Sequence, residues 1–162
     1  MSISLRICVC VACALLLGAA AFGQTRKAGL WEVTTTMSWQ QSPFPAGMNP
    51  GGAPRATEIC VTQAQIDKYG SVPPEMHGNC QVTNVVKKAN GMTAQMVCAG
   101  ALEGKGDIQA SWTDAEHSTS KVHFTGSMQM GPHSQPYEWT AVSTAVFKNA
   151  DCGNVQPFAA KP

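Results

Sequence analysis

The residues able to do chemistry are few, and their spacing fits no catalytic pattern. Of seven cysteines, Cys8, Cys10 and Cys13 have a C-x-C-x-x-C spacing of the kind used for metals and redox pairs. Cys60, Cys80, Cys98 and Cys152 are separated by 19, 17 and 53 residues, which matches no zinc, c-type haem or C-x-x-C frame. The histidines are His77, His117, His123 and His133, with no H-x-x-x-H or H-E-x-x-H pair among them. His77 and His133 fall in Pro/Gly loops, His117 in a turn beside Glu116, and His123 on the polar face of a strand. Met92-x-x-x-Met96 and Met128-x-Met130 have spacings that suit Cu(I), but in a strand such residues share an apolar face and read as core. No G-x-S-x-G nucleophile elbow occurs. Glu103-Gly104-Lys105-Gly106 lacks the phosphate-loop frame, and Asp114 and Glu116 read as turn residues. Neither an enzyme, a metal site nor a cofactor is expected.

The Cys8–Cys13 cluster lies in a segment that reads as a leader. Arg6 precedes an apolar run from Ile7 to Leu17, and the small residues of Gly18–Gly23 follow. Such a run is too short, at about 1.5 Å per helical residue, to anchor in a bilayer core of about 30 Å. Ala21 and Gly23 occupy the −3 and −1 positions of an A-x-A-like site, so cleavage is expected before Gln24, with a cut after Ala21 as the second candidate. A lipid-modified Cys13 is disfavoured because Cys10, not an aliphatic residue, stands three positions before it. Residues 1–23 are thus expected to be a signal peptide and residues 24–162 a single β domain, periplasmic or secreted.

The remainder is one domain of about 139 residues. Eleven Lys/Arg, one of them Arg6 in the leader, face ten Asp/Glu, with no basic run. That balance excludes nucleic acid and electrostatic membrane docking as expected partners, and no second apolar segment is long enough to span a membrane.

Period-2 alternation dominates the rest. Leu30–Gln40 places Trp31, Val33, Thr35, Met37 and Trp39 on one face and Glu32, Thr34, Thr36 and Ser38 on the other. Asp107–Thr113, Ser118–Met130 and Tyr137–Lys148 repeat the pattern: Ile108, Ala110 and Trp112, then Val122, Phe124, Met128 and Met130, then Tyr137, Trp139, Ala141, Ala145 and Phe147. One dry and one wet face mark antiparallel sheet. The fold class is all-β with one short helix, as an antiparallel meander, a lipocalin-like barrel or a strongly curved sheet. The helix opens at Thr62, whose capping box is closed by Gln65, and ends at Gly70. Gln41–Arg55, with four prolines and three glycines, reads as a surface loop, and Ser71–Asn79 as a second.

Four cysteines outside the leader predict two disulfides in an oxidising compartment. Cys80 and Cys98 flank a hairpin around Asn90-Gly91. A two-residue Asn-Gly turn places Cys80 opposite Ala101; a register three residues shorter places it opposite Cys98 and aligns Val82 with Met96, Asn84 with Ala94 and Val86 with Met92. That register requires a five-residue loop or a bulge. Cys60 and Cys152 then pair by exclusion.

Gly29-Leu30-Trp31-Glu32-Val33, Cys60-Val61-Thr62 before a helix, two central cysteines and a terminal Asp151-Cys152-Gly153 together resemble the exported bacterial domain-of-unknown-function family numbered three-six-one-seven. The resemblance covers nearly the whole chain after the leader. It implies an antiparallel β domain in the periplasm and carries no catalytic residues. Gly29-x-Trp31 is also similar to the lipocalin G-x-W opening, which implies an up-and-down barrel with room for one small ligand.

On that reading Trp31, Trp39, Trp112, Phe124, Met128 and Trp139 line an apolar pocket inside a barrel, with Phe44 and Met48 on an overlying loop. The expected function is a binding module for a hydrophobic small molecule. The alternative is an envelope domain with a filled core that meets a protein partner through loops or an edge strand. An enzyme of unrecognised type stands third.

Overall fold

In the computed structural model the described residues are 26–45, 48, 51–73 and 79–157. The expected leader, its cleavage site, Cys8, Cys10, Cys13 and His77 lie outside them.

The alternating segments form seven strands: β1 (Gly29–Gln41), β2 (Arg55–Val61), β3 (Cys80–Lys88), β4 (Gly91–Cys98), β5 (Leu102–Trp112), β6 (His117–Met130) and β7 (His133–Asn149). The helix α1 (Gln63–Tyr69) lies between β2 and β3. All neighbours pair antiparallel in one sheet of order β2-β1-β7-β6-β5-β4-β3. β3 to β7 are a meander, and β1 returns to pair with β7 and carries β2 on its far side.

The sheet does not close, and this corrects the barrel expectation: β2 and β3 are its two edges. Laid flat, seven strands would separate those edges by about 29 Å. The chain nevertheless runs from the end of β2 directly into α1, whose Asp67 carbonyl accepts a hydrogen bond from Lys87 Nζ on β3 at 2.6 Å. The sheet therefore curls, and the helix occupies the place where β2 would have to meet β3.

The ends of α1 are set by local chemistry. Thr62 Oγ1 accepts from the Gln65 amide at 3.3 Å while Gln65 Oε1 accepts from the Thr62 amide at 2.8 Å, the reciprocal capping box. Gly70 adopts φ 71° and donates its N–H to the Ile66 carbonyl, a left-handed cap that suits glycine.

Both expected disulfides form, Cys60–Cys152 across 92 residues and Cys80–Cys98 across 18. The β3–β4 register holds for Cys80 opposite Cys98 and Val82 opposite Met96, and then shifts between Thr83 and Val86. A bulge with Asn84 at φ 52° absorbs the mismatch, so the turn tightens to two residues between Lys88 and Gly91. The expected Asn84–Ala94 and Val86–Met92 pairs are thereby replaced by Val86–Thr93 and Lys87–Met92. The extra residue turns Val85 onto the core and leaves Val86 54% exposed. His133 is also corrected: it begins β7 opposite Met130, across a two-residue Gly131-Pro132 turn.

Candidate functional site: the aromatic end of the inner face

The inward side chains separate into two clusters. Trp31, Ile59, Val61, Ile66 and Ala145, with Val33, Val72 and Phe147 packed against them, form one. Its centre is Trp31, wholly buried, with its indole N–H donating to the Lys27 carbonyl at 2.9 Å and its ring edge-on to Phe147 at 5.6 Å. The larger cluster runs from Tyr69, Met92 and Trp112 to Phe124 and Tyr137, with Trp39, Met128 and Trp139 partly buried against it. A row of small side chains crosses the inner face: Thr35 is opposite Ser143, Ser143 opposite Ser120 and Ser120 opposite Ala110. Thr35 and Ser143 share a hydroxyl hydrogen bond of 2.8 Å across that row.

Five of the six residues expected to line a pocket, Trp39, Trp112, Phe124, Met128 and Trp139, thus fall in one cluster, and Trp31 falls in the other. Strand phase put Trp31 and Trp39 on one face. Eight residues of extended strand nevertheless separate them by about 26 Å. Trp31 belongs to the end beneath α1, where Ile66 meets it, and Trp112 is also near the helix, through Tyr69 and Gly70.

At the opposite end, strand register builds one continuous row. Trp39 is opposite Trp139, Trp139 opposite Phe124, Phe124 opposite Gly106, Gly106 opposite Met96 and Met96 opposite Val82. The Phe124 ring stacks with Trp139 at 5.4 Å and 9° and with Tyr137 at 5.7 Å and 13°. Trp39 meets Tyr137 edge-on at 6.3 Å and Phe44 at 6.0 Å. Burial raises the Tyr137 pKa.

Phe124 is flat against the sheet because glycines lie under it. A Cβ on Gly104 or Gly106 would come within 2.6 and 2.8 Å of its ring, and one on Gly126 within 3.0 Å. These glycines were missed as site residues. The Gly104-x-Gly106 spacing, in phase with inward Ile108 and Ala110, is the signal that marks them. Met128 is partly buried here, while Leu102 and Met130 are 42% and 44% exposed; Met130 does not join the core as its phase suggested. Phe44 contributes a ring from the loop after β1, and Met48 is 69% exposed.

The outer face carries the polar half of the alternation. An open groove of about 750 Å³ is lined by Lys88, Thr93, Gln109, Ser111, Thr119, Lys121 and Val142, and a smaller one of about 200 Å³ by His117, Thr144 and Val146 among others. None of the six aromatic and methionine site residues lines either groove. His123 is half-buried on this face, within 3.2 Å of Thr140 Oγ1 and 3.4 Å of Glu138 Oε1. Among the described residues no three His, Cys, Asp or Glu side chains are grouped to hold a metal. No described helix is long and apolar enough to cross a membrane.

The fold therefore defines a class: an open, curved antiparallel meander, stapled by two disulfides and plugged at one end by a helix. The chain belongs to the family described as "Protein of unknown function (DUF3617)", whose profile matches residues 26–152. No curated protein and no solved structure matches it.

Proposed function

We propose that the protein is a periplasmic binding module, without catalysis of its own, that takes an apolar group at the aromatic end of its inner face. The observation that carries this reading is the partial burial of Trp39, Met128 and Trp139 around a rigid Phe124–Tyr137 stack, at the end of the sheet opposite α1. Pre-ordered rings lose little conformational entropy when a ligand covers them, and their faces suit acyl or aromatic groups. Two disulfides and the expected leader support an oxidising, extracytoplasmic compartment.

The experiment is a titration of tryptophan emission with neutral apolar probes, such as a long-chain alcohol and a naphthalene derivative, repeated on Trp139→Ala. Saturable quenching that disappears in the variant is expected.

One observation favours the protein-interaction reading instead. Phe124 fills the space above Gly104, Gly106 and Gly126, so this part of the inner face is packed rather than hollow. An emission spectrum indifferent to every probe would replace the ligand reading with that one.

A further inference from the structure

Arg26 stands just before β1 and is only 3% exposed. Its Nη1 donates to the His117 carbonyl at 2.9 Å, and its guanidinium carbon lies 5.1 Å from the centre of the Trp112 ring. Its Nε and Nη2 are buried with no hydrogen-bond partner among the described residues. Two unfilled donors on a buried cation are among the costlier arrangements a fold can hold. Burial lowers the Arg26 pKa, against the opposing charge of Asp114.

The acids of the neighbouring turn are already engaged. Asp114 Oδ1 accepts from the Glu116 and His117 amides at 2.7 and 2.8 Å, and the carboxylate pairs with the His117 ring. Glu116 is paired with Lys27. The two unfilled nitrogens are the side-on fork of the guanidinium, whose parallel N–H bonds match the two oxygens of a carboxylate or phosphate.

We propose that the Nε–Nη2 edge of Arg26 binds an oxyanion, a carboxylate or phosphate group, at the helix-covered end of the fold, independently of the aromatic end. The arm from Arg26 to Ala28 is held by three contacts: Arg26 to His117, Lys27 to Glu116, and the Lys27 carbonyl to Trp31. Because both nitrogens are closed to solvent, this arm must open for the anion to enter. Trp112, whose ring centre is 5.1 Å from the guanidinium carbon, reports occupancy.

The test titrates the oxidised protein with inorganic phosphate, acetate and decanoate, against chloride at matched ionic strength, following thermal midpoint and tryptophan emission. A saturable rise in midpoint beyond the chloride control is expected. Arg26→Gln abolishes it, and Arg26→Lys, which keeps the charge and loses the fork, weakens the affinity by at least about tenfold. Trp112→Phe keeps the rise in midpoint and loses the emission change. A response to phosphate or acetate identifies a free anion as sufficient, and a response to decanoate alone identifies the head group of an amphiphile. Indifference of the unaltered protein to all three anions, or an undiminished response in Arg26→Lys and Arg26→Gln, overturns the proposal. A protein that binds the neutral probes at Trp139 and no anion loses this inference alone.

Discussion

The two ends of the inner face use the same residue types to different effect. At the helix-covered end Trp31 is wholly buried beneath Ile66 and beside Phe147, and Cys60–Cys152 ties β2 to the C-terminal segment. At the aromatic end Trp39 and Trp139 are only partly buried, and Cys80–Cys98 links the two outermost strands of the meander. The first end is built as core. The second has the rings of a core only partly covered among the described residues, with Phe44 edge-on to Trp39. A tryptophan on an inward strand face is therefore a structural residue or a candidate contact residue according to what lies above it, which strand phase does not encode.

The largest test of this contrast removes the disulfides one at a time. Replacing Cys60 and Cys152 with alanine is expected to cost about 4–5 kcal/mol, and replacing Cys80 and Cys98 about 3 kcal/mol, because the 92-residue link restrains the unfolded chain more than the 18-residue one. Urea unfolding of the two double variants checks the order. An equal loss would mean that the ends are not distinguished by chain entropy.

Trp31→Ala is expected to cost about 4 kcal/mol, since it empties a fully enclosed site. Trp139→Ala should cost only about 1–2 kcal/mol, because part of the ring already faces water. Paired denaturation curves decide this. Equal losses would make the aromatic end ordinary core and weaken the binding proposal.

A smaller effect isolates the helix that makes the ends unequal. Thr62→Ala removes the capping hydroxyl and should destabilise by about 1 kcal/mol, with faster amide exchange in residues 63–69 than in β6.

The smallest effect is a pH dependence at the Asp114 turn, beside the covered end. Hydrogen bonds from the Glu116 amide first, then the His117 side chain, lower the Asp114 pKa from 3.8 to about 2. The depressed folded value means that this stabilisation is complete above the unfolded pKa and is lost as pH falls from 3.8 towards about 2. Asp114→Asn should flatten the acid limb of the stability curve in that window, as read from urea midpoints at successive pH values.

Much of the fold was legible because its signals are local. Alternation at period 2 fixed the inward faces of β1, β5, β6 and β7, and the Thr62–Gln65 box with Gly70 fixed both ends of α1. The hairpin arithmetic that placed Cys80 opposite Cys98 already required a loop or a bulge. Each of these rests on chemistry within a few residues or across one turn. The outcomes that escaped are long-range. Whether the sheet closes depends on where α1 sits between two edges that are far apart in sequence. The bulge position at Asn84 was open because one extra residue satisfies the register anywhere along β3. Trp31 and Trp39 share a phase, but the covering helix reaches only one of them. Arg26 shows no pattern in the chain at all; its unfilled donors arise from burial against Trp112 and His117, about ninety residues away. Periodicity and caps are properties of short segments, whereas closure, coverage and buried charge belong to the packing of segments against one another.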